Sequence, residues 1–137
     1  MLETHTATDV ADITFPAGLP GFPHAHRFQL APWGPAGSPF LLLSSVEDPD
    51  VGFVVVPPWV FYPEYEFELD TGTAERLALS AAEDAVVFTV VTLRERPEES
   101  TVNLLGPIVV NRFSHEAAQV VLPSAGYSVR APLAIAS

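Results

Sequence analysis

The sequence predicts an all-β fold: a small antiparallel, barrel-like single domain with one short helix. Three observations carry that expectation. Fourteen Pro and eight Gly punctuate the 137 residues at short intervals, and the runs between them are rich in Val, Phe, Leu and Thr, as in short strands joined by turns. Residues 64–70 read Glu-Tyr-Glu-Phe-Glu-Leu-Asp, an unbroken alternation of acid and apolar side chain with the period of two that a half-buried strand shows. Only one stretch carries a helical apolar spacing.

In chain order, strands are expected at 12–15, 27–31, 40–46, 52–56, 65–70, 85–93, 102–111, 119–122 and 127–130. Residues 85–93, AVVFTVVTL, are apolar on both faces, which predicts a central strand covered on both sides. The helix falls after Thr73, its expected cap, with Ala74, Leu77, Ala78 and Ala81 as a narrow stripe at i, i+3, i+4 and i+7. Two turns of helix are too short to stand alone, so it must pack on the sheet. About nine short strands favour a closed or nearly closed barrel, because closure removes exposed edges. A two-sheet sandwich is the alternative. The length fits one domain, ordered over about 12–133, with fraying expected at residues 1–11 and after Leu133.

Composition narrows the chemistry. Seventeen acidic residues face six basic ones, all Arg, for a formal charge of −11. Phosphate backbones are bound by Lys and Arg that replace counterions, so direct nucleic-acid binding is disfavoured, while encounter with a cationic protein is favoured and fast. No run reaches the ~18 apolar residues of a membrane span, the N-terminus lacks the basic start and apolar stretch of an export signal, and there is no Cys. The expected location is the cytoplasm. Without Lys, Schiff-base and P-loop chemistry are excluded.

Enzymatic constellations are thin. His24-Ala25-His26 has the spacing to aim two imidazoles one way, yet a catalytic zinc needs a third protein ligand; two solvent-facing histidines in a Pro-flanked loop is the plainer reading. Ser44-Ser45 with Glu47-Asp48 supplies hydroxyls and carboxylates but no G-x-S-x-G elbow to align a nucleophile. Glu83-Asp84 reads as a solvated turn. No metal or cofactor is expected.

Three further segments stand out. Gly18-Leu19-Pro20-Gly21-Phe22 reads as a compact turn, its glycines free to take positive φ, that drops Phe22 onto the core. Residues 57–65, PPWVFYPEY, form a stiff aromatic loop feeding the acidic stretch. Rings held rigid lose little entropy on binding, although such rings can equally plug one end of a barrel. In residues 101–111, Asn103 and Asn111 flank an apolar run and are expected to satisfy backbone groups at bends, with Gly106-Pro107 breaking the ladder between them.

Seven blocks in order then resemble one family. They are Phe15-x-x-Gly18-Leu19-Pro20-Gly21-Phe22, Pro39-Phe40-x-x-Leu43-x-Ser45-x-Glu47-Asp48, Phe53-Val54-Val55 and Tyr65-x-Phe67-x-Leu69. Thr101-x-Asn103-Leu104-x-x-Pro107-Ile108-Val109-Val110-Asn111, Gln119-Val120-Val121-Leu122 and Tyr127-x-x-Arg130-x-Pro132-Leu133 follow. From about Asp12 to Leu133 the chain resembles the flagellar assembly factor family FliW, departing from it at 112–118, which lacks the basic, glycine-rich character common there. The resemblance implies a small cytoplasmic β-barrel-like protein that is not an enzyme and has two competing partners, flagellin and the RNA-binding translational repressor CsrA. Flagellin occupying the factor frees CsrA to block flagellin translation; export of flagellin lets the factor capture CsrA. The resemblance also implies amphipathic helices at the ends of flagellin, which could dock by their apolar stripe in an aromatic-edged groove.

The expected partner surface comprises Glu47, Asp48, Glu64, Glu66 and Glu68 as attracting charges, with Phe61 and Tyr65 as anchors, on a monomer. These residues divide between the two partners in no order the sequence reveals. The competing reading is a small-ligand barrel or hydrolase using Glu47, Asp48 and His26 at a barrel mouth. A structural subunit of a larger assembly is a third.

Overall fold

The computed structural model describes residues 11–122 and 127–133. Nine strands follow in order: β1 Ala11–Thr14, β2 Arg27–Pro32, β3 Leu41–Ser45, β4 Gly52–Val56, β5 Ala85–Thr92, β6 Thr101–Val102, β7 Ile108–Asn111, β8 Ala117–Gln119 and β9 Ala131–Pro132. Every ladder is antiparallel, and the sheet runs β1-β2-β3-β4-β5-β6-β9, with β7 also on β5 and β8 on β7. The mainly antiparallel β class is thus as the sequence predicts. The barrel is not closed. Among the described residues the backbone of β1 pairs with the β7–β8 hairpin only at an isolated parallel bridge, Thr14 to Glu116, fastened by the Thr14 N–H donating to the His115 carbonyl at 3.0 Å.

β5 is the pivot, and the sequence shows why. Its odd and even residues serve two cores. Phe88 joins Phe15, Phe28, Leu43, Val55, Ile108 and Val110 in one buried cluster; Val91 joins Val56, Tyr65, Leu77, Val102, Leu104 and Val109 in the other. A strand buried on both faces has to be apolar throughout. The first core is pinned by Phe15, fully buried and edge-on to Phe28 at 5.2 Å between ring centres.

The expected strand 102–111 is split. Three steps along β5, Val91 to Phe88, are matched by six from Val102 to Ile108, and the excess loops out around Asn103 and Gly106-Pro107. Asn103 Oδ1 accepts from the Leu105 and Gly106 N–H groups, the bend-stabilising role expected of it. Residues 127–130 are not a strand; the pairing with β6 is made by the two residues directly after them, β9. In the Gly18 turn both glycines have positive φ, 73° and 84°. A Cβ at Gly18 would lie 2.8 Å from the Pro23 carbonyl oxygen. The buried pin there is Leu19, not Phe22, which is exposed and edge-on to Phe53. The fraying expected at 1–11 and after Leu133 lies outside the described residues, except that Ala11 opens β1.

The helix, α1, spans Thr71–Arg76 and is shorter than its apolar stripe suggests. Its cap is Asp70, whose carboxylate accepts from the Thr73 N–H at 3.0 Å and the Thr73 hydroxyl at 2.7 Å. Ala78, at φ 55°, turns the chain out of the helix, and the Leu79 N–H closes back on the Ala74 carbonyl, a Schellman-type stop. The stripe therefore ends before Ala81. The Thr73 hydrogen bonds hold the Asp70 carboxyl below its ordinary value. Its stabilisation is accordingly present above about pH 3.8 and is lost as pH falls below that. Asp70→Ala is expected to lower the urea midpoint at neutral pH and by less in strong acid, whereas Asp70→Asn, still a cap, stays nearer the parent at neutral pH. Urea titrations at several pH values check this.

Candidate partner-binding surface

Residues 64–70 alternate in exposure as the sequence requires: Glu64, Glu66, Glu68 and Asp70 are exposed, Tyr65 is buried, and Phe67 and Leu69 are half-buried. They do not form a strand. No ladder pairs them with a neighbour among the described residues. The segment is an extended strap laid over the second core, with Phe67 and Leu69 packed onto it. The acidic ridge exists, then, but side-chain packing and isolated hydrogen bonds hold it.

Those bonds centre on aromatic side chains. The Tyr65 hydroxyl donates to the Leu104 carbonyl at 2.7 Å, and the Trp59 indole N–H donates to the Tyr65 carbonyl at 2.8 Å. The Tyr127 hydroxyl accepts from the Glu66 N–H at 3.0 Å and donates to the Glu66 carbonyl at 2.9 Å. Tyr65 and Tyr127 rings lie 4.6 Å apart, with Trp59 and Phe67 within 6.2 Å and 5.6 Å of Tyr65. Burial, and secondarily the neighbouring Tyr127, push the Tyr65 hydroxyl well above the usual phenol range. Phe61 is half-buried against Phe40, ring centres 6.0 Å apart, and the Tyr62 hydroxyl donates to the Pro132 carbonyl. Tyr65 is therefore a brace under the ridge, with little surface left for a partner. Trp59 and Val60 are the exposed apolar residues of this loop, at 43% and 47%.

Beside the strap runs an open groove of about 650 Å³. Trp59, Tyr65, Glu66, Phe67 and Leu69 form one wall, Leu79 to Ala82 the other, and Ala85, Val87 and Val109 the floor. Its lining is mostly apolar, with Glu66 its one carboxylate. The sequence does not mark out the loop after α1. Its small, weakly periodic residues (Ser80, Ala81, Ala82) carry no chemical signature, and only the fold places them opposite the strap.

Glu47 and Asp48 lie elsewhere. They are exposed at the β3–β4 turn, while the Phe40–Phe61 contact is at the start of β3, so strand rise separates the two groups by roughly 20 Å. The Arg27 backbone N–H donates to Glu47 at 3.1 Å, the main reason its carboxyl is held below the ordinary range; the Arg27 side chain adds a long contact at 3.9 Å. The seven expected residues thus form two patches. The carboxylates imagined at a barrel mouth are not in the lining of the groove. His24 is exposed, and His26 Nδ1 lies 3.0 Å from the Phe15 carbonyl oxygen. Among the described residues no three His, Cys, Asp or Glu side chains gather as metal ligands would, and no helix is long and apolar enough to cross a membrane.

Set beside known proteins, residues 2–133 match the family FliW, described as FliW protein. The flagellar assembly factor FliW of Bacillus subtilis (strain 168) is 42% identical over 121 residues, covering 88% of this chain and 84% of the relative. That of Oceanobacillus iheyensis is 40% identical over 88% of this chain and 82% of its own length. A crystal structure of the flagellar assembly factor FliW superposes with a TM-score of 0.83 at 32% identity, covering 89% of this chain and 84% of the other.

Proposed function

This chain belongs to the FliW family of flagellar assembly factors, and on that footing we propose that it acts in the cytoplasm as a monomeric partner switch, binding flagellin and the translational repressor CsrA in alternation and catalysing no reaction. The observation that carries the reading is the strap. Four exposed carboxylates stand in a row on a braced segment beside an apolar groove, on a chain of formal charge −11. An RNA-binding repressor presents a basic surface, and a rigid acidic row attracts it from a distance and repels RNA from its neighbourhood. The groove supplies what the charges lack: an apolar floor and the exposed Trp59 for a partner's apolar side chains. Glu47 and Asp48, at the far end of β3, supply a second acidic contact.

Titration calorimetry with purified CsrA and flagellin tests this. Glu64→Arg with Glu66→Arg is expected to weaken CsrA binding about tenfold at low ionic strength, mostly through a slower association rate, with a smaller difference at high salt. An unchanged low-salt titration removes the strap from the account. Retention of neither protein by the parent chain overturns the reading itself.

A further inference from the structure

The strap has an open backbone edge. Both main-chain groups of Glu66 are taken by the Tyr127 hydroxyl, and α1 takes the Asp70 carbonyl. Between them, the N–H and C=O groups of Phe67, Glu68 and Leu69 have no hydrogen-bond partner among the described residues. In an extended chain successive residues point their main-chain groups to opposite edges. If Glu66 faces Tyr127, Glu68 faces the same way, and Phe67 and Leu69 face the other edge. Unpaired strand edges are templates for a further strand.

We propose that a short, extended peptide with basic residues at alternate positions adds to this edge as a strand, pairing with the main chain of Phe67 and Leu69. The side chains select its chemistry. A second copy of this chain is a poor occupant, because antiparallel pairing centred on Glu68 sets Glu68 against Glu68 and Glu66 against Asp70, and like charges placed directly opposite repel. The same row favours Lys or Arg at every second position of the incoming strand. Its intervening side chains need an apolar bed, and the groove floor of Ala85, Val87 and Val109 runs beside the strap. This deepens the partner-switch reading, since it specifies the conformation and charge pattern that the strap accepts. It rests on the strap being a partner surface.

The probe is a synthetic hexapeptide of alternating Lys and Val, acetylated and amidated at its ends, titrated into the full chain. An analogue with the same side chains and N-methyl groups on alternate backbone nitrogens, in both registers, removes the donors and keeps the charge. A block peptide, three Val followed by three Lys, keeps composition and loses alternation. The alternating peptide is expected to bind at least tenfold more tightly than the weaker N-methyl analogue and than the block peptide, and to slow amide exchange at Phe67 and Leu69. Equal affinity across the three peptides, no slowing at those two amides, or no binding at all overturns strand addition. None of these outcomes bears on the CsrA and flagellin titrations, so the two readings fail separately.

Discussion

Tyr65→Ala is expected to cost about 3–5 kcal/mol of stability, the range for removing a large buried ring, and to abolish partner binding as a consequence of that loss. The ring is buried, in contact with Trp59, Phe67 and Tyr127, and its hydroxyl satisfies the Leu104 carbonyl in the loop between β6 and β7. Removing it opens a cavity under the strap and frees both ends of the aromatic brace. An alanine scan alone would score Tyr65 as a binding anchor, the role its position beside the acids suggests. Tyr65→Phe separates the two roles. It keeps the ring and leaves the Leu104 carbonyl unpaired, costing about 1–3 kcal/mol, with partner affinity close to the parent's. Urea denaturation beside calorimetry reads both quantities. A tenfold loss of affinity in a Tyr65→Phe chain that is still fully folded would restore Tyr65 as a contact.

The same hydroxyl has a pH signature. Its ionisation in the folded chain lies above the ordinary 10.0 because burial disfavours the phenolate, with Tyr127 adding to the effect. A raised folded value means the stabilisation is complete below about pH 10 and declines as pH rises beyond it, where the unfolded chain gains by ionising. Tyr65→Phe removes that slope. The parent is therefore expected to lose stability faster than the variant between pH 10 and alkaline unfolding.

How much of this was legible in the sequence depends on which physical term decides each element. β4 has the bounds expected of it, and β5 falls one residue short of its expected end, because burial dictates both. The strap shows the limit. Its alternation predicts which side chains are buried, and they are; it cannot say whether a neighbouring backbone is within reach, and among the described residues none pairs with it. Barrel closure fails on the same point, since the β1 edge meets β7–β8 at one bridge and pairing between distant edges leaves no periodic mark. Local hydrogen bonding decides where α1 starts. Thr73 and Asp70 both have capping side chains, and the Asp70 carboxylate takes the cap with Thr73 inside the first turn. The acids of the candidate site were readable as exposed charges, whereas the opposite wall of the groove depends on where the chain goes after Ala78 turns it out of the helix.

Asn111 fixes where that chain goes. It ends β7, and its amide reaches both ways: Nδ2 donates to the Leu77 carbonyl at 2.7 Å, and Oδ1 accepts from the Phe113 and Ser114 N–H groups at 2.8 and 3.1 Å. One buried side chain thus ties the end of α1 to the β7–β8 turn and holds the loop that walls the groove. Asn111→Ala leaves the Leu77 carbonyl and the turn N–H groups without these partners, and is expected to cost about 2–4 kcal/mol, since each buried group left unpaired costs about 1–3 kcal/mol and the exposed turn recovers part from water. Hydrogen exchange should quicken at 77–79 and at 112–116 together. Asn111→Asp divides the two ends. Its carboxylate still accepts from the turn, so 112–116 stay protected, but it has no N–H for Leu77 and turns a buried negative charge on that carbonyl, so 77–79 exchange fast. Protonation lets the acid donate again, and this variant is expected to gain stability relative to Asn111→Ala as pH falls toward 5, the reverse of the Asp70 dependence. Uniform loss of protection in both variants, with no recovery in acid, would show that Asn111 serves only the packing of β7 and leaves the groove wall to other contacts.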